Sequence, residues 1–424
     1  MLRINRLVII SLLIFTQIAL WGQNNTNSPY TRFGYGGLAD RAMGSGKAMG
    51  GIGIGLRSKK QINPMNPASY SCMDSMTFIF DFGASGQVSW FKEGDNYERK
   101  LNGNIESLAM QFPLAKGLAM SVGLLPYSFV GYEFGEIAQQ DGLVWTEAFA
   151  GKGGINDLYA GLSYEVWKKR LAIGVNAGFL FGSITHSRAL AFSESTGGDD
   201  VTRNEKYRVR DVKLDIGVQY VHPLSATDQL VFGVVYSPRN SLNMTVYEEQ
   251  VVGSASDYTQ RDTITGSKFG MPDSYGFGVS FVRNNKLTLA ADVLYETWSK
   301  CYFNNEKGQF ENRIRAALGG EYIPDTRSRN YFSNISYRAG LHYSNSYLKV
   351  NRSAQNSYEG YGYNEIGASI GFGFPMIDNR SLVNVTFEYV KVRPESRAMI
   401  DEQYFRFSLN YTFNELWFFK RKVD

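Results

Sequence analysis

The chain has 424 residues, and its 44 Lys+Arg against 40 Asp+Glu leave it too close to neutral to give a nucleic-acid partner electrostatic support. Two cysteines far apart, Cys72 and Cys301, exclude a disulfide framework, and three scattered histidines, His186, His222 and His342, make no metal site. Hydrophobic residues are 43% of the chain, yet mean hydropathy is −0.26, and beyond the first residues no apolar run is long enough for a membrane helix.

Residues 1–22 read as a secretory signal: Arg3 and Arg6 precede an apolar run from Leu7 to Trp21, and Gly22 offers a cut site before Gln23. The run is about fifteen residues, short of the roughly 18 to 20 of a spanning helix. Leu20 at the −3 position departs from the usual small residue, and no cysteine follows to carry a lipid. Without Arg3 and Arg6 the mature chain has 42 basic against 40 acidic residues, a net charge of +2.

Residues 23–74 lack strand alternation and are rich in Gly, Ala, Met and Ser, most densely from Arg41 to Gly55. Such a segment is too apolar and glycine-punctuated for a solvated linker. Gly44-Ser45-Gly46-Lys47 superficially suggests a phosphate loop, but Arg41 stands where a glycine is required and Ala48 where Ser or Thr is required. Close backbone packing explains these glycines better.

From residue 75 onward, period-two alternation repeats. Phe405, Phe407, Leu409, Tyr411 and Phe413 alternate with Arg406, Ser408, Asn410 and Thr412; Val212, Leu214, Ile216 and Val218 alternate with Lys213, Asp215, Gly217 and Gln219. The predicted strands lie near 75–90, 104–113, 117–129, 155–167, 170–186, 208–221, 228–247, 270–283, 286–300, 311–322, 334–347, 361–374, 381–393 and 402–413. Soluble sandwiches alternate too, but strands this long fit the 9 to 11 residues of a tilted membrane strand. Tight connections at 114–116, 168–169, 284–285 and 375–380 trade places with longer ones at 130–154, 187–207, 248–269 and 348–360, as short periplasmic turns and long outer loops would. The expected fold is all-β: a transmembrane antiparallel barrel of about 14 strands over 75–413, in the outer membrane of a Gram-negative cell, with 44 glycines for crowded lumen faces and 55 Tyr+Phe for membrane girdles. Such a lumen is too wide for wall side chains to fill, so residues 23–74 are expected to plug it as a hatch. Residues 414–424 form a tail past the aromatic Phe413.

The glycine-alanine-rich plug, the triplet Asn66-Pro67-Ala68 directly before strand one and the fourteen strands together resemble the FadL-type outer-membrane transporters of long-chain fatty acids and hydrocarbons. The stretches Ser28 to Gly34, Gly153 to Gly161 and Phe413 to Lys422 look like the branch of that family common in Bacteroidota. The resemblance implies that the triplet belongs to the hatch and that hydrophobic substrate passes from an outer groove through the plugged barrel and leaves sideways into the membrane.

An oily ligand needs apolar surface at the outside. The 130–154 segment and its flank offer Phe129, Tyr132, Phe134, Leu143, Trp145 and Phe149, although the same side chains could equally fold that loop onto itself or rim the membrane. Asn66-Pro67-Ala68 can hold a defined turn, because proline fixes φ and Asn bonds local backbone; an ordinary turn into strand one would look the same. Alternation turns Asp81, Lys213, Asp215, Asp292, Glu296, Arg313, Arg315, Glu321, Arg338, Glu388 and Arg406 into the lumen, where mixed signs imply networks tying plug to wall rather than an ion-selective ring. Arg313 and Arg315 are also possible head-group contacts for a carboxylate. His342 and Ser344 share a strand face spaced as in outer-membrane phospholipases, but alternation points them inward, away from lipid esters.

No catalytic residue, metal or cofactor is expected. The expected partners are outer-membrane lipids, a hydrophobic small-molecule ligand and other outer-membrane proteins. Two functions remain open: passive uptake of hydrophobic small molecules, and an accessory or structural barrel of an outer-membrane assembly or secretion complex. Uptake requires a kink or gap near strand three, where Pro126 breaks the alternation, and a plug that can loosen. A scaffold requires neither.

Overall fold

The computed structural model describes residues 26–140, 143–167, 169–192, 199–253, 258–325, 328–350, 360–378, 380–396 and 399–416. The signal peptide expected at 1–22 and positions 417–424 of the expected tail lie outside the described residues.

A short strand β1 (Gly37–Leu38) and a helix α1 (Gly44–Ala48) lie in the N-terminal segment. The first half of the wall is β2 (Thr77–Glu93), β3 (Asn96–Ala115), β4 (Leu118–Gln140), β5 (Leu143–Trp167), β6 (Leu171–Phe192), β7 (Val201–Pro223) and β8 (Asp228–Ser237). An outer excursion holds β9 (Asn240–Leu242), β10 (Met244–Val252), β11 (Tyr258–Ile264) and β12 (Phe269–Met271). The second half is β13 (Ser274–Arg283), β14 (Leu287–Glu296), β15 (Arg313–Tyr322), β16 (Ser336–Asn345), β17 (Tyr363–Pro375), β18 (Leu382–Pro394) and β19 (Asp401–Leu416). The two halves make a closed 14-strand antiparallel barrel. β8 pairs with β13, and β19 closes onto β2 from Asp401↔Lys92 to Leu416↔Thr77.

Closure follows from the alternation. On β16, Tyr337, Leu341 and Tyr343 stand exposed on the outside while Arg338, His342 and Ser344 are buried inside. Only a sheet without edges lets every backbone group pair within hydrocarbon. Most periplasmic connections are tight, although the link from Tyr322 to Ser336 is longer and carries a short helix, Tyr331–Asn334; Asn284 and Asn285 both take positive φ, 54° and 53°, the backbone of a two-residue turn matched to strand twist.

The structure departs from the sequence expectations at the outer end. The 130–154 segment is no irregular loop: β4 and β5 stay hydrogen-bonded to Gln140↔Leu143, so it is a tall hairpin. β6, β7, β10 and β11 rise beside it in place of the loops expected at 187–207 and 248–269. Above the bilayer neither face meets hydrocarbon, so the apolar rhythm fades although the ladder continues. The predicted strand 228–247 is interrupted after Ser237, where Pro238 cannot donate to the ladder. Asn414, Glu415 and Leu416 extend β19, because β2 begins low enough to offer Ile79, Phe78 and Thr77 as partners.

The described part of the N-terminal segment lies inside the barrel. Asp292 on β14 accepts the N–H groups of Gly53 and Ile54 at 2.7 Å and of Gly55 at 3.3 Å. A Cβ at Gly50 would fall 2.7 Å from the Leu341 carbonyl oxygen, and one at Gly55 would fall 2.8 Å from the Val279 nitrogen. The glycine run therefore lets plug backbone lie directly on wall backbone. Below it, Met43, Ile62, Tyr70 and Met73 pack with Ile79, Ala109, Leu125 and Tyr159 into a dry floor.

Candidate functional site

One seam of the wall is incomplete. β3 and β4 pair from Ala115↔Leu118 up to Leu108↔Leu124 and no further, although β3 continues along β2 to Asn96 and β4 along β5 to Gln140. The register of β4 on β5 shifts between Pro126 and Ser128, and immediately beyond the shift β4 pairs with the plug: Gly37↔Phe129 and Leu38↔Ser128. Proline supplies no N–H and the extra residue bends the strand. The strand thereby leaves its neighbour in the wall and takes one from the plug. Leu108 lies about 23 Å along the strand from Ala115, or roughly 17 Å of height at a usual tilt, so the gap opens in the outer part of an apolar band about 25 Å tall. On its β3 side Ile105 and Leu101 are 63% and 69% exposed, more than the lipid-facing Leu158 at 46%.

Behind the gap lies a cavity of about 240 Å³ whose lining includes both flanks: Asn104 and Glu106 from β3, Pro126 and Phe129 from β4, and Leu38 from the plug. Glu106 is the extra residue of a bulge, since Gly83 pairs with Ser107 and Ala84 with Ile105. That bulge directs it inward, where it forms an ion pair with Lys47 of α1.

Deeper in, the lumen is a lattice of paired charges. Arg315 reaches Asp40 at 3.1 Å and donates to the carbonyls of Gly51 at 3.0 Å and Gly50 at 3.1 Å. Arg41 joins Asp215 at 3.1 Å and Asp157 at 3.4 Å; Arg313 meets Glu296 at 3.1 Å, and Arg406 meets Glu388 at 2.9 Å. Burial alone pushes the Asp40 carboxyl up, but Arg315, the Ala42 N–H and Lys47 together hold it below the usual carboxylate range.

Across the mouth, Tyr35 of the plug is fully buried, with ring centroids 5.2 Å from Phe303, 5.8 Å from Trp298 and 5.9 Å from Phe310. Its hydroxyl donates to the Gly270 carbonyl at 3.0 Å, and Tyr347 donates to the Gly36 carbonyl at 2.6 Å. This aromatic cap seals the mouth on the side away from the gap.

The predicted outer residues divide into three groups. Tyr132, Phe134 and Phe149 come together, with centroids 5.5 Å apart from Tyr132 to Phe134 and from Phe134 to Phe149, and Arg32 of the plug sits 4.0 Å over Phe149. Phe129 lies lower, on the cavity wall against β1. Trp145 stands apart, 6.5 Å from Phe192, and the Leu143 side chain lies outside the described residues.

Asn66 is fully buried; its Oδ1 accepts the Ala68 N–H at 3.1 Å and its Nδ2 donates to the carbonyls of Ile54 at 2.9 Å and Val218 at 3.3 Å. Pro67 lies so close to the wall that a Cβ at Gly174 would fall 2.4 Å from its carbonyl carbon. The triplet thus fixes the plug to β6 and β7. Ser344 accepts from Arg313 at 3.0 Å and donates to the Asn345 carbonyl at 3.0 Å, while His342 Nδ1 faces Glu388 at 3.9 Å. Sequence reasoning missed Leu38, Asp40, Lys47 and Glu106. A basic residue inside an otherwise uncharged glycine run was the available signal for Lys47.

A family model described as BamG matches residues 3–424. The chain belongs to the BamG family. No curated protein matches this BamG-family chain in sequence. Among solved structures it is similar to the Pseudomonas putida toluene transporter TodX, at 14% identity and TM-score 0.59, over 89% of this chain and 99% of that one. It is also similar to the Ralstonia pickettii toluene transporter TbuX, at 12% identity and TM-score 0.57 over 88% and 98% of the two chains. A Pseudomonas aeruginosa FadL homologue gives 12%, 0.55, 89% and 99% in the same order. At these identities the likeness is one of fold. The BamG-family chain is thus an outer-membrane barrel with the FadL-type architecture.

Proposed function

We propose that this BamG-family barrel passes hydrophobic small molecules between the cell exterior and the outer membrane, passively and sideways. The observation that carries the proposal is the unpaired β3–β4 seam above Leu108↔Leu124, continuous with an internal cavity. Phe134, Phe149 and Tyr132 would collect the ligand at the outside, Phe129 would hand it to the gap, and lipid beside Ile105 would receive it. Buried apolar groups of this size contribute on the order of 1.5 to 3 kcal/mol each before the costs of association.

Arg313 and Arg315 already carry carboxylate partners, Glu296 and Asp40. A fatty acid seeking a head-group site would have to displace one of them, and stripping a partner from a buried charge costs about 3 to 5 kcal/mol. Neutral, hydrocarbon-like ligands therefore suit the site better than carboxylates. Two of the similar solved structures are toluene transporters, which fits the same ligand class.

The test is uptake of labelled toluene by a deletion strain complemented with wild type or with Ile105→Arg or Leu38→Arg at the gap. Both charged variants should restore a folded barrel but not uptake; full uptake by both would remove the lateral route.

A second reading is an accessory subunit of an outer-membrane assembly complex. BamG-family membership over residues 3–424 favours it, as does a plug held by many buried ion pairs. Stoichiometric outer-membrane partners at native expression, with no uptake defect on deletion, would select it.

A further inference from the structure

The outer wall carries a row of charge that neither reading uses. Outward-facing positions of β7 run Ile216, Leu214, Val212, then Arg210, Arg208 and Lys206; all six are exposed. The first three belong to the lipid-facing band. Measured from the Tyr220 level near the periplasmic turn, about 8 residues of tilted strand bring Val212 to roughly 20 Å and Arg210 to about 25 Å, the expected height of the apolar belt. Phe181, paired with Arg210 across the β6–β7 ladder, stacks on Phe179 at 6.0 Å and marks the same boundary as an aromatic girdle. The basic row therefore starts where hydrocarbon ends.

Its surroundings supply no counter-charge. Across β6 the neighbours are Phe181, Ser183 and Thr185; across β10, Arg208 and Lys206 face Thr245 and Tyr247. The nearest outward carboxylate on β10, Glu249, is held by Arg261 at 2.6 Å. Asp211, next in sequence to Arg210, accepts the backbone N–H groups of Asn243 and Val212, each at 2.6 Å. On the opposite face of the same wall the basic residues are paired, Arg203 with Glu248 at 3.2 Å and Arg188 with Glu147 at 2.5 Å. Among the described residues Arg210, Arg208 and Lys206 make no ion pair.

We propose that Arg210, Arg208 and Lys206 form a binding site for the phosphorylated headgroup of an outer-leaflet lipid whose acyl chains lie along Val212, Leu214, Ile216 and Phe179. Successive outward residues are about 6.7 Å apart, so the row presents three cationic groups over some 13 Å, with two guanidinium forks suited to phosphate. A lipid supplies both halves of this surface at once, acyl chains below and phosphate above. An acidic soluble protein would use only the upper half.

The experiment uses the mature chain in zwitterionic detergent micelles, titrated with bisphosphorylated lipid A, with the same lipid dephosphorylated, and with inorganic phosphate. Wild type should bind the phosphorylated lipid in preference to both others. Each of Arg210→Gln, Arg208→Gln and Lys206→Gln should weaken binding roughly fivefold, and the triple variant about a hundredfold. The substitutions lie on an exposed face, so heat-modifiable migration of the folded barrel should be unchanged; Arg99→Gln, on the exposed β3 tip, serves as the control and should bind as wild type. Equal binding of the dephosphorylated lipid, equal binding of inorganic phosphate, or an unaltered triple variant would each overturn the proposal. So would capture of an acidic protein that depends on the row while lipid binding does not.

Discussion

Glu106→Gln removes the carboxylate that pairs with Lys47 beside the gap, and its consequence can be worked from the geometry. The Lys47 side chain is 7% exposed and that of Glu106 18%, so the ammonium is left in the lumen with an amide oxygen in place of an anion. Breaking one partner of a buried pair costs about 3 to 5 kcal/mol; a polar cavity alongside and the surviving amide oxygen place this case nearer 2 to 3 kcal/mol. Since the pair joins α1 of the plug to the bulge of β3, the loss falls on plug docking rather than on barrel closure. Amide exchange across residues 44–56 should accelerate by roughly 30- to 150-fold, at 1.4 kcal/mol per factor of ten, while amides of β13 to β19 stay protected. The double variant Lys47→Met/Glu106→Gln should recover most of the protection, because no buried charge is then unpaired. Exchange of 44–56 within threefold of wild type in the single variant would refute the assignment of this pair as the latch between plug and gap.

Phe149→Ala should weaken hydrocarbon binding and free Arg32, whereas Trp145→Ala should leave affinity within about twofold, since its ring lies tilted beside Phe192, apart from Tyr132, Phe134 and Phe149; titration of purified variants in detergent compares them. Gly50→Ala, at φ +78° and against the Leu341 carbonyl, should cost plug docking more than about 2 kcal/mol, read as lost exchange protection of 44–56. The Asp40 carboxyl is held below its ordinary range, so its stabilising pair with Arg315 is complete above the unfolded value near 4 and is lost only as pH falls through the lowered value. The Asp40 contribution to plug stability should therefore be constant from about pH 7 to pH 5 and decline in stronger acid, read as the difference in thermal midpoint between wild type and Asp40→Asn across pH. Asn66→Ala removes the cap on Ala68 and the bond to Ile54 and should cost about 1 to 3 kcal/mol, visible in denaturant or thermal midpoints.

Why so much of the barrel is legible in sequence is plain at β16 and β19, where every second residue faces hydrocarbon and the rest face a polar lumen. Each of the fourteen wall strands overlaps a predicted segment for that reason, although β3 to β7 run well past the predicted ends. Legibility ends where the solvent no longer differs between the two faces. The hairpin above Ser128 carries Glu133, Glu136 and Gln139 among Phe134 and Ile137, so its ladder is invisible to a period-two reading, which gives a loop there. The plug shows a related limit. Its glycines announce close packing but not against what, and the partners Asp292, Glu106 and Asp215 lie hundreds of residues away or on a bulge that only the fold creates. Pro126 did mark the kink. That the vacated edge of β4 would pair with Gly37 and Leu38 depends on the plug's path through the lumen, which no local pattern encodes.

The most direct measurement is an experimental structure of the protein soaked with a brominated toluene analogue, with the bromine located by anomalous scattering. The lateral route requires bromine density between Ile105, Leu38 and Phe129, with no β3–β4 hydrogen bonds above Leu108. Continuous β3–β4 pairing up to Asn96, with no bromine at that position, would contradict it.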